Sequence, residues 1–173
     1  MLEPFYPKEM VESAYKIPYK TLYDNGIRGV IFDIDNTLVP HGAPADTRAL
    51  SLFAEFRRMG MKTCLLSNNK EPRVASFAAQ VDSPYIFKGG KPSVKGYEKG
   101  MKNMGTTAAD TIFVGDQLFT DVYGANRAGI YSYLVKPIHP KEEIQIVLKR
   151  YLEAAVLFFY NRKRKRSRGQ VQR

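Results

Sequence analysis

Tryptophan is absent from the 173 residues, and cysteine occurs once, at Cys64. A single thiol cannot close a disulfide within the chain, which excludes a stapled secreted scaffold and suits a reducing, cytosolic setting. Cys64 sits in the apolar run Thr63-Cys64-Leu65-Leu66 and reads as core filler rather than as a nucleophile. Histidine occurs twice, at His41 and His139, each beside a proline, where an exposed loop without a catalytic role is expected. No stretch is long and apolar enough to cross a bilayer. The start, Met1-Leu2-Glu3-Pro4, shows neither a basic n-region nor an apolar h-region, so no secretory signal is visible. Neither Gly-x-Gly-x-x-Gly nor a Walker A loop follows the first strand, which argues against dinucleotide and P-loop nucleotide binding. There is no internal repeat.

Acid is missing from one region only. From Asn161 onward there are seven basic residues (Arg162, Lys163, Arg164, Lys165, Arg166, Arg168 and Arg173) and no Asp or Glu. The net charge is +10, and setting those seven aside leaves +3 for residues 1–160. The globular part is therefore only mildly basic, and residues 161–173 read as a disordered basic tail. At 44% hydrophobic, the rest can bury one good core, which suits a single domain over 1–160.

Punctuation and periodicity then divide the chain. Residues 8–24 read as an N-terminal helical arm, broken at Pro18 and ended by Gly26. Strands are expected over 28–34, 61–66, 85–87, 111–114 and 130–135. Helices are expected over 46–59, 70–80, 92–104, from about 116 to 128, and over 141–160. The alternation indicates βαβ units and an α/β fold, a doubly wound, Rossmann-like parallel sheet with helices on both faces. Ligands in such sheets bind beyond the carboxyl ends of the strands.

Those ends carry polar groups. The run Val30-Ile31-Phe32 leads into Asp33-Ile34-Asp35-Asn36-Thr37, and strand alternation sends Asp33 and Asp35 out on one side. Two carboxylates that close need a cation or a shared proton, and Mg²⁺ fits because it prefers oxygen ligands and accompanies phosphates. The second strand gives Ser67-Asn68-Asn69, the third leads to Lys91 in Gly89-Gly90-Lys91-Pro92, and the fourth gives Gly115-Asp116 and then Asp121. Each piece alone has an ordinary reading, as a turn, a helix N-cap or a surface lysine. Their order, each at a strand end, points to one crevice.

This array resembles the haloacid-dehalogenase (HAD) superfamily of phosphohydrolases over roughly residues 28–136. The resemblance implies a HAD-type fold in which Asp33 attacks phosphorus to form an aspartyl-phosphate and Asp35 protonates the leaving oxygen, then activates water. It implies that Ser67 binds a phosphoryl oxygen and that Lys91 neutralises the nucleophile and phosphoryl group. Asp116 would complete an Mg²⁺ site with the Asp33 carboxylate and the Asp35 carbonyl, with Asp121 as a further metal-site acid. Thr37 would hold the loop after the nucleophile, and Asn68 and Asn69 could contact substrate. Asn36 departs from the glycine common at its position, and is expected to tune the loop.

HAD enzymes usually select substrates with a cap domain. Neither the interval 35–67 nor 67–91 has room for one, so an open site is expected, suited to a phosphate presented by a large partner or a surface. In the last helix Ile144, Val147, Leu148, Tyr151, Leu152, Ala155 and Phe159 recur at helical spacing, ahead of the basic cluster. Apolar residues followed by a cationic cluster suit an anionic membrane surface. A core helix with a solubilising tail is the plain alternative, and attachment to nucleic acid or the ribosome another. Asp33-Ile34-Asp35-Asn36-Thr37-Leu38-Val39 and Gly115-Asp116-Gln117-Leu118-Phe119-Thr120-Asp121 are most similar to the YqeG-like phosphatases of HAD subfamily IIIA, a group similar to phosphatidylglycerophosphate phosphatases. The expectation is a Mg²⁺-dependent, capless phosphatase of the cytoplasm, working at the inner membrane face on a phospholipid phosphate. The rival readings are a phosphatase for a small sugar or nucleotide phosphate and a basic ribosome- or nucleic-acid-binding protein.

Overall fold

The computed structural model describes residues 2–139 and 144–170, with side chains at 2–139 and 151–164. In chain order the elements are β1 (Glu9–Val11), α1 (Tyr19–Asp24), β2 (Gly29–Phe32), α2 (Thr47–Met59), β3 (Lys62–Leu66), α3 (Glu71–Val81), β4 (Tyr85–Ile86), α4 (Val94–Met104), β5 (Thr111–Gly115), α5 (Tyr123–Arg127), β6 (Tyr131–Val135) and α6 (Ile144–Gln170). The six strands form one all-parallel sheet in the order β1-β6-β5-β2-β3-β4. This is the doubly wound α/β sheet expected from the alternation of elements.

Strand parity sorts the core into two layers. Val30 and Phe32 of β2, Leu65 of β3, and Ile112 and Val114 of β5 join one cluster with Phe53 and Phe56 of α2 and Phe77 of α3. Ile31, Cys64, Leu66 and Phe113, one step out of phase, meet Tyr97 and Met104 of α4 on the other face. The central strands are covered on both sides, which is why they read as continuous apolar runs. Helix boundaries follow ordinary capping: Asp46 accepts the Ala49 N–H at 2.9 Å at the start of α2, and Gly60 ends it in the left-handed region at φ 79°.

The N-terminal arm corrects the sequence reading. Residues 9–11 are a strand on the sheet edge, paired with β6 from Glu9–Tyr133 to Val11–Val135. Ser13 then caps a short 3₁₀ turn, and only 19–24 is α-helical. Three residues carry too little pattern to show alternation, and the tertiary ladder overrides their propensity.

The last helix differs too. It runs through Gln170, well past Tyr160, so 161–170 continue the helix where a disordered tail is expected from charge alone; Arg and Lys are good helix formers. The described part of the apolar stripe is the exposed face, as the membrane-surface reading expects and the core-helix alternative does not. Tyr151 (74% exposed), Leu152, Ala155 and Phe159 face outward, whereas Glu153 and Val156 are buried and Leu157 is half-buried. Val156 packs on Leu118, Val122 and Leu134. The rotation is set by Glu153, whose carboxylate accepts the Leu118 N–H at 2.8 Å, a role that hydropathy assigns to no acid. The side chains of Ile144, Val147, Leu148, Lys165, Arg166, Arg168 and Arg173 lie outside the described residues.

Candidate active site

Register brings the motifs to one rim. Phe32 pairs with Val114 on one side and Leu65 on the other, so Asp33, Ser67 and Asp116 leave neighbouring strands within two residues of that level. Asp33 N–H donates to Val114 O at 3.0 Å, continuing the ladder. Past Asp33, the N–H groups of Thr37, Leu38 and Val39 all turn back on Ile34 O. Asn36 there has φ 64°, a left-handed conformation that glycine or asparagine tolerates, which accounts for the departure from glycine.

Lys91 stands at the centre. Its Nζ donates to Asp33 Oδ1 and to Asp121 Oδ1, both at 2.6 Å, and its side chain is 3% exposed. Burial would favour the neutral amine, but Asp121 and Asp33 outweigh it and hold Lys91 charged, its pKa well above the usual lysine range. Asn68 fixes Lys91 by its backbone: Oδ1 accepts the Lys91 N–H at 2.8 Å, and Nδ2 donates to the Lys91 carbonyl at 3.1 Å. The Asn68 amide thus holds the lysine loop while still lining the pocket.

Asp33, Asp116 and Asp121 are all buried, and one carboxylate oxygen from each lies within 4.8 Å of the others. Burial, the largest influence, pushes Asp33 up to about 6; Lys91 opposes this and Asp121 adds to it. Thr37, fully buried, places its hydroxyl 3.4 Å from Asp33 Oδ2 and 3.3 Å from Asp116 Oδ1, so it links the two acids and does not line the pocket. Three buried carboxylates thus gather around one ammonium, and their oxygens are hard donors. That donor set fits a hard divalent cation.

Asp121 reaches the site because β5 ends without a side chain. A Cβ on Gly115 would lie 2.5 Å from Asp121 Oδ2, so only glycine admits that carboxylate beside the strand. Asp121 sits in a π-type turn (Leu118–Val122), a distortion common at functional sites. Its Oδ2 accepts the Gln117 N–H at 3.0 Å, and Tyr97 OH donates to the carbonyls of Thr120 and Asp121.

Asp35 is held differently, and its carboxylate stays outside that acidic cluster. Its Oδ1 accepts from Arg73 Nη2 at 2.8 Å, Arg73 Nε at 3.2 Å and Gly42 N–H at 2.8 Å, while Asn69 Nδ2 donates to Oδ2 at 3.3 Å. Burial alone would raise its pKa; Arg73 and the Gly42 N–H outweigh burial and bring it below the usual carboxylate value. Arg73 is the site neighbour that the sequence hides, because a single arginine in the first turn of α3 reads as a solvated helix face. Ser67 is not a helix cap, since Lys70 occupies the N-cap of α3; its hydroxyl accepts the Asn69 N–H at 3.1 Å and keeps its own proton to give.

These groups surround a pocket of about 320 Å³ lined by Asp33, Asp35, Asn36, Ser67, Lys91 and the Asn68–Asn69 turn, with His41, Gln117 and Thr120. His41 is exposed there, as expected, although at the pocket wall. The interval between Asp35 and Ser67 holds α2 and β3, and that between Ser67 and Lys91 holds α3 and β4, with no cap domain in either.

Comparison with known proteins agrees with this geometry. The haloacid dehalogenase-like hydrolase family model matches residues 48–129. The chain is 35% identical over 165 residues to the probable phosphatase YqeG of Bacillus subtilis (strain 168), covering 94% of this chain and 96% of that protein. The chain belongs to the haloacid dehalogenase-like hydrolases. It is also 28% identical to phosphatidylglycerophosphate phosphatase 1, chloroplastic/mitochondrial, of Arabidopsis thaliana, over 91% of this chain but 48% of that protein, so it spans about half the length of that relative. Among solved structures, an uncharacterized protein from Corynebacterium glutamicum has the same fold, with a TM-score of 0.53 at 20% identity over 74% of this chain and 94% of that one. The putative beta-phosphoglucomutase of Thermotoga maritima matches at 0.51 with 14% identity, over 71% of this chain and 91% of that one. The family membership and the phosphatase relatives make this chain a phosphatase.

Proposed function

We propose that this phosphatase hydrolyses a phosphomonoester through an aspartyl-phosphate on Asp33, with Mg²⁺, and that its substrate is phosphatidylglycerophosphate. One observation carries the chemistry: Asp33 lies on the pocket floor with one oxygen held by Lys91 and its carboxylate beside Asp116 and Asp121. Asp33 forms the new O–P bond as the ester O–P bond breaks, and Lys91 keeps it ionised and aimed. Asp35 gives its proton to the leaving alcohol; the negative phosphoryl group beside it favours the protonated form. Once the alcohol has left, the ionised Asp35 takes a proton from water, whose oxygen attacks the acyl phosphate and returns Asp33 and inorganic phosphate. Asp33, Asp116 and Asp121, with the Asp35 carbonyl, would hold Mg²⁺, which when bound neutralises the phosphoryl oxygens. The Ser67 hydroxyl is free to donate to one of those oxygens.

The lipid substrate is supported by the named plant relative and by α6. Tyr151, Leu152, Phe158 and Phe159 are each more than half exposed, and Arg162, Lys163 and Arg164 follow on the same helix. Aromatic and aliphatic side chains ahead of a cationic cluster fit the cytoplasmic face of an anionic bilayer. No helix among the described residues is long and apolar enough to cross a membrane. The test measures phosphate released from phosphatidylglycerophosphate in vesicles and from a soluble chromogenic ester. Wild type should release phosphate from both with Mg²⁺ and Asp33→Asn from neither. The pair Phe158→Glu and Phe159→Glu should lose at least about tenfold on vesicles and keep the soluble activity. Vesicle activity that survives both glutamates removes the membrane part of the reading.

A further inference from the structure

Arg73 is engaged beyond what a structural ion pair requires. It lies in the first turn of α3, its guanidinium over the Phe77 ring at 5.5 Å, with its side chain 16% exposed. Nε and Nη2 both donate to one oxygen, Asp35 Oδ1. A guanidinium carries five N–H bonds, so three remain without a partner among the described residues. The Gly42 N–H shares the same oxygen, so Arg73 and the backbone together fix the plane of the carboxyl group. Asp35 Oδ2 has only Asn69, at 3.3 Å, among the described residues and keeps lone-pair capacity for a proton.

The pocket wall itself is poor in available cations. Lys91 is its one Lys or Arg among the described residues, and Lys91 is spent on Asp33 and Asp121. Arg73 does not itself line the pocket but is bonded to Asp35, which does; among the described residues it and the exposed Lys70, next to Asn69, are the cations nearest in sequence to that wall. Position follows from role. The group that protonates the leaving oxygen must sit beside it, so whatever the leaving alcohol carries lies on the Asp35 side of the pocket, and Arg73 is bonded to Asp35. We propose that Arg73 has two functions: it orients Asp35, and its unspent N–H groups select phosphomonoesters whose alcohol bears a second negative group a short carbon chain away. This rests on Asp35 being the leaving-group acid, as proposed above. A guanidinium offers a phosphodiester or carboxylate two parallel N–H bonds, which an ammonium cannot match. Arg73 is thus a positioning residue for the chemistry and a direct contact for the substrate's far end.

The experiment compares two soluble substrates on wild type, Arg73→Gln and Arg73→Lys, with Mg²⁺: glycerol 3-phosphate, and glycerol 1-phosphate bearing a methyl phosphodiester on its other primary oxygen. Wild type should prefer the second substrate through a lower KM. Arg73→Gln should lower kcat about tenfold on both, because Asp35 is no longer held, and raise KM at least tenfold on the diester-bearing substrate alone. Arg73→Lys, which keeps the charge but not the fork, should recover part of the KM and little of the kcat. If the glutamine variant fails to fold by circular dichroism, the lysine variant carries the same comparison. KM values that change equally on both substrates overturn the selection, and an unchanged kcat overturns the positioning; either result leaves the phosphatase reading intact. Wild type that is inert on both, and on a chromogenic ester, removes that reading and the inference with it.

Discussion

Asn68 grips Lys91 by both of its backbone polar groups, accepting its N–H at 2.8 Å and donating to its carbonyl at 3.1 Å. The amide therefore decides where the ammonium sits, although it never touches that ammonium. Asn68→Ala should cost about 1–3 kcal/mol by leaving two half-buried backbone groups unpaired, and should cut kcat at least about tenfold with little change in KM. Steady-state kinetics on a chromogenic phosphate and a urea unfolding curve check both halves. A KM effect without a kcat effect would return Asn68 to substrate binding.

Asp33 is costly to keep charged. Its folded pKa is about 6 against an ordinary 3.8. Below about 4 both folded and unfolded chains hold the proton. Between 4 and 6 only the folded chain keeps it, so stability falls as pH rises, and it stays at the lower level above 6. Asp33→Asn removes the titration. In chelator, the variant should match wild type near pH 4 and exceed it at pH 8 by on the order of 3 kcal/mol. Equal unfolding midpoints at both values would show that the burial cost is met elsewhere.

Mg²⁺ should relieve the same crowding. A cation held only by the folded chain stabilises it by about 2.7 kcal/mol at a hundredfold excess over Kd. Thermal melts should therefore rise with MgCl₂ and fall back with EDTA, and Asp116→Asn should abolish the shift. A melt that Mg²⁺ leaves unmoved in wild type would count against the Asp33, Asp116 and Asp121 cluster as the metal centre.

Cys64 faces the α4 layer of the core, and burial pushes its thiol up to about 12. It should not react with Ellman's reagent at pH 8 in the native chain and should yield one equivalent in denaturant. Rapid native labelling would mean that the β3 region opens.

The candidate site was legible because three of its residues sit where a strand pattern stops: Asp33 after Phe32, Ser67 after Leu66, Asp116 after Gly115. Periodicity finds such ends, and parallel register then does the assembly. Arg73 and Glu153 were not legible, because each is a charged residue inside a helix whose partner, Asp35 or the Leu118 N–H, is distant in sequence. β1 escaped for a related reason, since its strand character exists only in its pairing with β6. Hydropathy leaves open which side of α6 docks, because it gives no weight to Glu153, the acid that docks.

That acid makes the C-terminal helix more than an attachment. Glu153 answers the first N–H of the turn carrying Asp121, and Val156 seals Leu118 and Val122 below it. Removing the helix to test anchoring would strip a counterpart from the turn that supplies a carboxylate to the buried acidic cluster. Loss of turnover after such a deletion would say nothing about lipid, and only changes on the outward face can separate address from machinery.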